Sequence, residues 1–418
     1  MNILVCGAHG FIGSALCASL ERRGHRVVKG VRHATHADEI QIDFAAPPDS
    51  LTLRAQLDGF DAVVNAVGIL LEHGEQTFDA VHVRGPIALF DACQQAGVKR
   101  VVQISALGVE TGAAPYFTSK LAADRHLQSL PIDWQIVRPA LVYGTHGTSA
   151  RFFRALASIP LHVLPAGGHQ RLRHVHADDL AEAVARLIDA RTPARQTLDI
   201  VGGEEVEYRE MLAVFRRALG FAPAPSMGMP AVLVGGTAAL FEHVPGTMLT
   251  RDTWRMLQSG STADVAATTA LLERAPMGIR DFIAQDEAAS LRREALEAWR
   301  SYALRFALAV MWIWSAIVSA WLHPQAQSLA LLARVGLHAS AALTALYAAS
   351  ALDFTFGLAT IFWPGRRLWC AQIALIVAYT AIIAIALPDL LTDPFGSILK
   401  NLPILTLLLV LLSEEVRP

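Results

Sequence analysis

The run Gly7-Ala8-His9-Gly10-Phe11-Ile12-Gly13 constrains this chain more than any other feature. It follows Asn2-Ile3-Leu4-Val5-Cys6, a short apolar run with little alternation, as expected of a strand covered on both faces. Beyond it, Ile12, Leu16 and Leu20 fall on one helical face, and Gly24-His25 end that helix. Arg26 to Val31 reads as the next strand. Strand, glycine turn, helix and strand within about thirty residues form the βαβ unit of a doubly wound parallel sheet. In that setting Gly7 permits the tight turn, Gly10 lets the backbone approach a pyrophosphate, and Gly13 lets the helix pack closely on the strand. The free N–H groups at the helix start favour phosphate. The alternative is a glycine turn of purely structural use.

The pattern repeats. Ala62 to Val67 reads as a strand, His82 to Ala96 as a helix closed by Gly97, and Arg100 to Ile104 as a strand running into Ser105. Ala122 to Leu130 reads as a helix, Trp134 to Val137 as a strand, and Asp178 to Asp189 as a helix. From about 145 to 300 the alternation becomes irregular, and Pro- and Gly-rich stretches such as Phe221 to Pro230 predict a small substrate lobe. The expected fold is an α/β Rossmann-type sheet with that lobe, followed by an all-α membrane region. Such a sheet binds a dinucleotide, and the ribose end of the second strand selects which one. An acidic residue there would suit NAD(H). Here Gly30-Val31-Arg32-His33 offers a guanidinium, which suits a 2′-phosphate and favours NADP(H). A solvated surface arginine is the other reading.

Further along, the motifs follow the order of a known superfamily. They are Ile42-Asp43-Phe44, Asn65-Ala66-Val67-Gly68, Ile104-Ser105-Ala106-Leu107-Gly108, Tyr116-Phe117-Thr118-Ser119-Lys120, Arg138-Pro139-Ala140-Leu141-Val142-Tyr143-Gly144 and His174-Val175-His176-Ala177-Asp178-Asp179. Over residues 1 to 300, and most specifically over the first 180, the chain resembles the short-chain dehydrogenase/reductase superfamily. It is most similar to atypical and extended, epimerase-like members near the NADPH-binding accessory subunit of respiratory complex I. The resemblance implies cofactor contacts at Gly7, His9, Gly10, Phe11, Ile12, Gly13, Arg32, His33, Asp43 (to the adenine amino group), Asn65, Ala66, Val67, Gly68, Tyr116, Lys120 and Pro139. It also implies a catalytic set of Ser105, Tyr116 and Lys120.

The chemistry can be argued from the residues as well. A Tyr and a Lys four apart share one helical face. A free phenol, with pKa ~10, is a poor base at neutral pH. A nearby ammonium favours its ionised form, so Tyr116 would exchange a proton with a substrate oxygen that Ser105 polarises. The alternative is that Tyr116 only packs and Lys120 only binds ribose. His82 stands where many relatives carry Asn, which puts their proton relay in doubt. His174, His176 and Asp178 invite a metal reading. The competing role, at a strand end with Asp179 capping the next helix, is preferred, and no metal is expected.

The composition changes at a boundary near residue 300. The chain is 53% apolar and 17% charged with net charge −2, and the charges nearly vanish from Phe306 to Leu412. No basic run points to nucleic acid. Met1 runs directly into the first strand, so no signal peptide is expected. Cys6, Cys17, Cys93 and Cys370 show no paired spacing, so reduced thiols without a disulfide or zinc site are expected. Phe306 to Leu322 holds 17 residues without a charge, which at ~1.5 Å each span about 26 Å. Further apolar segments lie within Ala339 to Phe362, Leu368 to Leu387 and Leu402 to Leu412, the last with a start near Ser397. Four spans are expected; helices of a soluble bundle are the alternative. Arg300, Arg305, Arg366 and Arg367 fall on one side of such a bundle, which predicts both ends in the cytoplasm. Asp353 interrupts the second segment. It is either a functional carboxylate, with Lys400 as partner, or an interfacial one held by Ser and Thr.

Residues 301–418 resemble the DoxX-like family of four-span bacterial membrane domains, best at Pro394 to Leu405 and also at Ser328 to Gly336. That implies the bacterial inner membrane. The leading expectation is a membrane-anchored NADP(H)-dependent oxidoreductase acting on a lipid-soluble or membrane-delivered carbonyl, alcohol or quinone. The alternatives are a non-catalytic NADP(H)-binding sensor or assembly factor of a membrane complex, and an epimerase that recycles its cofactor. A homo-oligomer or a membrane-complex partner is left open.

Overall fold

The computed structural model describes residues 1–189, 195–242, 247–392 and 398–415. The chain divides into two compact units, Met1–Ala295 and Leu296–Pro418.

In the first unit, strands β1 (Asn2–Cys6), β2 (Arg26–Val31), β3 (Glu39–Gln41), β4 (Ala62–Asn65), β5 (Arg100–Ile104) and β6 (Asp133–Pro139) lie in one parallel sheet. Four short strands follow: β7 (Val142–Tyr143), β8 (His162–Pro165), β9 (Arg171–Leu172) and β10 (Val175–His176). Then β11 (Gln196–Ile200) returns to the sheet edge, giving the order β11-β6-β5-β4-β1-β2-β3. Alternation along β1 divides the core. Ile3 and Val5 join α1 (Phe11–Arg22), and Leu4 and Cys6 join the opposite layer of α2 (Ser50–Gln56), α3 (Gly85–Ala96) and α4 (Pro115–Ser129). Leu16 and Leu20, singled out by their helical spacing, are fully buried against the first face. Each stabilises it by about 1.5–3 kcal/mol. The sheet is thus the doubly wound parallel architecture expected of the glycine-turn unit.

Three differences from the expected bounds bear on the site. α4 starts at Pro115 rather than Ala122, because proline at the first helical position needs no N–H partner. The helix expected from His82 begins with a π-helical turn, Asp79–Arg84, before α3. The region from 145 to 300 is not one lobe. α5 (Thr148–Ser158) belongs to the lobe, but α6 (Ala177–Ile188) packs beside α1 in the sheet layer, and β11 completes the sheet. As an edge strand, β11 alternates only weakly (Gln196-Thr197-Leu198-Asp199-Ile200), so its pattern was not visible. The lobe proper is built on α5, β12 (Val206–Glu207) and α7 (Tyr208–Ala218), with a core around Tyr143, Met211, Phe215 and Phe282. β13 (Ser226–Met229), α8 (Ala231–Phe241), α9 (Arg251–Gln258) and α10 (Ala266–Leu272) complete the first unit.

The charged helix expected from Asp286 and the first apolar span are one helix, α11 (Gln285–Ile317), followed by a π-helical turn to Leu322. The second unit continues with α12 (Gln325–Arg334), α13 (Ala339–Phe362), α14 (Arg366–Ala386) and α15 (Asn401–Glu414). Among the described residues three helices are long and apolar enough to cross a membrane, whereas α15 has 14 residues. At ~1.5 Å per residue it is about 21 Å long, short of a bilayer core of about 30 Å. The Pro394 to Ser397 part of its expected motif lies outside the described residues. Phe306, Val310, Trp314, Ile385 and Leu409 are exposed, as lipid-facing side chains would be. Arg305 donates to the Thr360 and Ile361 carbonyls at the end of α13, where free carbonyls and the helix dipole favour a cation. Arg334 and Asp389 pair, so the two connections expected on one side of the bundle meet.

Candidate functional site

The site starts where β1 ends. Gly7 has φ +79°, and a Cβ there would press on the Ala66 carbonyl at 3.1 Å. Only glycine suits both conditions. Gly7 N–H donates to the Gly30 carbonyl at 2.9 Å, and Gly10 N–H donates to the Gly7 carbonyl at 2.8 Å. A Cβ on Gly13 would overlap the Gly7 carbonyl oxygen, so α1 can lie this close to the loop only with glycine there. Gly10 is the N-cap of α1 and provides no side-chain acceptor. The first-turn N–H groups, from Phe11, Ile12 and Gly13, are therefore available to an anion. The Phe11 ring closes over Gly144 and Gly147, joining the loop to the segment after β7. These residues fit a pyrophosphate: two close approaches that a Cβ would fill, and an uncapped helix start.

Past β2, Arg32 and His33 are exposed. With its oxygen turned to Arg32, the Gln76 amide accepts from that guanidinium at 2.7 Å. The loop beside them rests on Glu39, which the sequence reading did not select. Its carboxylate accepts from Thr35 N–H at 2.7 Å and His36 N–H at 3.1 Å, and pairs with His9 Nε2 at 2.9 Å. Those backbone hydrogen bonds hold its carboxyl below the usual range. Glu39 thus ties the glycine loop to the segment after Arg32. Asp43 is half-buried, and its Oδ1 accepts from Ala45 N–H at 2.9 Å.

The turn after β4 is held by Asn65. Its Nδ2 donates to Gln103 Oε1 at 2.7 Å, and its Oδ1 accepts from Val67 N–H at 3.1 Å. This sets Ala66 and Val67 against Gly7, and Gly68 beside Lys120, whose Nζ would be 3.3 Å from a Cβ there. Lys120 Nζ donates to the Ile104 carbonyl at 3.1 Å and lies 5.8 Å from the Tyr116 ring centre. Burial lowers the Lys120 pKa to about 8, against the opposing pull of Asp124. Burial also pushes the Tyr116 phenol up. Tyr116 therefore keeps its proton at neutral pH. His82 Nε2 accepts from Ile69 N–H at 3.0 Å, so Nδ1 carries the proton, 3.0 Å from Ser119 Oγ. Ser119 in turn donates to the Tyr116 carbonyl. Burial first, then Lys120, lowers the His82 pKa to about 3, leaving it a neutral brace for the Tyr116 turn.

Ser105 is placed otherwise than expected. Its hydroxyl donates to Asp124 Oδ2 at 2.6 Å, and both side chains are buried. Asp124 lies 3.9 Å from Arg138 Nε, and Arg138 pairs with Glu110 at 2.9 Å. Burial raises the Asp124 pKa to about 6, opposed by the Ser105 hydrogen bond, Lys120 and Arg138. A signal for Asp124 existed, since Tyr116, Lys120 and Asp124 are spaced by four along one face. Glu39, in a polar loop, carried none. Pro139 ends β6, and its carbonyl accepts from Leu107 N–H at 2.9 Å.

Around the second histidine group, the expected cap is corrected. His176, not Asp179, caps α6, its Nδ1 accepting from Asp178 N–H at 3.3 Å. Asp179 is buried and accepts from Arg274 at 2.7 Å and Met277 N–H at 2.6 Å. Among the described residues no three His, Cys, Asp or Glu side chains are grouped to hold a metal. Cys6, Cys17, Cys93 and Cys370 are free, and burial raises the Cys6 thiol to about 12.

Comparison with known proteins matches both regions. Residues 3–200 match the NAD dependent epimerase/dehydratase family, and residues 309–409 match the DoxX-like family. UDP-glucose 4-epimerase of Mycolicibacterium smegmatis is 27% identical over 274 residues, covering 55% of this chain and 86% of that protein. The structure of UDP-glucuronic acid 4-epimerase from Bacillus cereus with NAD superposes with a TM-score of 0.54 at 18% identity, over 70% of this chain and 100% of that one. The NADPH-dependent quinone oxidoreductase QOR2 of Escherichia coli, with NADPH, gives 0.54 at 15% identity, over 67% and 98%. At these identities the two structures bear on the fold alone. The chain thus joins an N-terminal NAD-dependent domain similar to the epimerase/dehydratase and short-chain dehydrogenase/reductase type to a C-terminal DoxX-like domain.

Proposed function

We propose that the chain is a membrane-anchored NADP(H)-dependent oxidoreductase that reduces a lipid-soluble carbonyl or quinone, or runs the reverse reaction on the alcohol. The observation that carries this reading is the pairing of Tyr116 with Lys120 beside the Gly68 turn, at the same carboxyl end of the sheet as the glycine loop. The loop N–H groups of Phe11, Ile12 and Gly13 would hold the pyrophosphate, and Lys120 the nicotinamide ribose. Arg32 would take a 2′-phosphate bidentately, with His33 beside it. Asp43 would meet the adenine amino group. Asn65, Ala66, Val67, Gly68 and Pro139 would shape the floor. The bound nicotinamide supplies or accepts hydride. Tyr116, kept protonated by burial, delivers its proton to the substrate oxygen as the carbonyl becomes a hydroxyl. Because the Ser105 hydroxyl is engaged by Asp124, Tyr116 carries that oxygen alone.

The expected address is the bacterial inner membrane, with residues 1–295 in the cytoplasm, as the placement of Arg300, Arg305, Arg366 and Arg367 argues. An apolar substrate accounts for a reductase that carries its own membrane domain.

One observation favours a second reading. With Ser105 turned to Asp124 and His82 braced between Ile69 and Ser119, the chain fits a dinucleotide-binding module that senses cofactor or supports assembly without turnover. The two separate in detergent-purified full-length protein, by identifying the bound cofactor and following NADPH oxidation with a panel of quinones and long-chain aldehydes. On the enzyme reading Tyr116→Phe lowers kcat by roughly 10²–10⁴ without loss of cofactor. Turnover that is absent in wild type, or unchanged in Tyr116→Phe, sinks it. Arg32→Ala weakens NADPH about tenfold and leaves NADH unchanged; equal affinities before and after would remove the preference for NADP(H).

A further inference from the structure

The second unit contains a cavity of about 320 Å³ that the dinucleotide reading does not use. Its polar walls include Trp312, Ser315, Ser319, Ser350, Asp353 and Asn401, with Met311, Leu346, Ile376 and Ile404 among the apolar ones. Most of the polar groups are already bonded. Ser350 Oγ donates to the Leu346 carbonyl at 2.9 Å, and Asn401 Nδ2 donates to Thr380 Oγ1 at 2.8 Å. Asp353 receives one hydrogen bond, from Ser315 Oγ to Oδ2 at 3.1 Å, and none from Lys400. Two buried groups in the wall have no partner: the acceptor Asp353 Oδ1 and the donor Trp312 Nε1. Asp353 is 8% exposed and Trp312 is 4% exposed. Both side chains are enclosed by the residues around them.

An unpartnered acceptor and an unpartnered donor in an apolar wall are costly unless a ligand completes both. An ammonium would satisfy the carboxylate and leave the indole N–H without an acceptor. A hydroxyl does both, donating to Asp353 and accepting from Trp312. The volume, roughly that of ten waters, is at the lower end of small-molecule sites. It fits the head of a lipid-soluble molecule rather than a whole lipid. We propose that residues 296–418 carry a binding site of their own, between Asp353 and Trp312, for the hydroxylated head of an apolar molecule. This site stands independently of whether the first unit turns over.

The test uses full-length protein in detergent and two probes, radiolabelled farnesol and its methyl ether. The ether keeps the acceptor oxygen and loses the donor. Farnesol is expected to bind saturably, one per chain, at least tenfold more tightly than the ether. Asp353→Leu abolishes that discrimination. Trp312→Phe weakens both probes about fivefold, and Trp314→Phe, exposed on the same helix, changes neither. Uptake without saturation, equal affinity of wild type for both probes, or discrimination that survives in Asp353→Leu overturns the proposal. If Asp353→Leu does not give monodisperse protein, the wild-type comparison of the two probes decides.

Discussion

Two buried aspartates of this chain receive a serine hydroxyl and have opposite surroundings. Asp124, on α4, is fully enclosed, with Ser105 on one oxygen and with Lys120 and Arg138 acting on its charge. Asp353 has Ser315 alone and borders a cavity. A carboxylate among cations is part of an electrostatic network, and its loss strands the positive charges around it. A carboxylate that faces a cavity is an open acceptor, and an apolar residue can replace it. Burial alone does not separate these roles; the partners do.

The largest expected effect tests this difference directly. Asp124→Ala should destabilise the protein by about 3–5 kcal/mol, because buried Lys120 loses its counter-charge. Asp353→Leu should stay within about 1 kcal/mol of wild type, since an apolar residue replaces the carboxylate without leaving an unpaired charge behind. Thermal unfolding of the two full-length variants in detergent measures both, and equal losses would break the comparison.

A somewhat smaller effect is expected at the glycine loop. Gly13→Ala forces a methyl group onto the Gly7 carbonyl, which costs about 1–3 kcal/mol. It should also abolish dinucleotide binding, read by fluorescence of NADPH. Retained binding would mean that α1 can move away from the loop.

The pH dependence refines the Asp124–Lys120 side. Lys120 titrates near pH 8 in the folded chain, lowered from 10.5 by burial. Above that pH it loses its proton and its charge, so kcat/KM should fall about tenfold per unit on the alkaline side. Lys120→Arg should remove that limb. The stability effect has the opposite sign. Between about 8 and 10.5 the unfolded chain holds the proton that the folded chain has released, so stability rises with pH there. Asp124 behaves differently. Its folded pKa of about 6 lies above 3.8, so its contribution is present at low pH and is lost as pH rises from 3.8 through 6. An activity limb without the matching stability change would separate Lys120 from the observed titration.

The smallest effect is expected at Glu39→Gln. The loop after Arg32 and His9 lose a charged anchor, and NADPH affinity should fall about threefold, measured by titration, while the fold persists. An unchanged affinity would make Glu39 a purely local tie.

Local pattern already specified much of this molecule. The limits of β2 (Arg26–Val31) and β5 (Arg100–Ile104) are those read from apolar runs and their breakers, and the second apolar stretch falls within α13 (Ala339–Phe362). These segments are decided by the chain's own period, because a strand or span covered on both sides needs apolar residues at nearly every position. β11 was not legible, because an edge strand is specified by its neighbour β6 and not by its own alternation. Tyr116 and Lys120 could be paired from their spacing. That Ser105 would turn to Asp124 could not, because it depends on how α4 lies against β5.

By itself, the sequence determined the glycine turn, the parallel sheet around it and the apolar helices beyond residue 300, since each depends on residues close along the chain. Only the tertiary structure decided which polar groups find partners. It paired Glu39 with His9, directed Ser105 to Asp124, and left Asp353 Oδ1 and Trp312 Nε1 without partners beside a cavity. A hydrogen bond forms or fails over tenths of an ångström between groups far apart in sequence, a distance that no local pattern encodes.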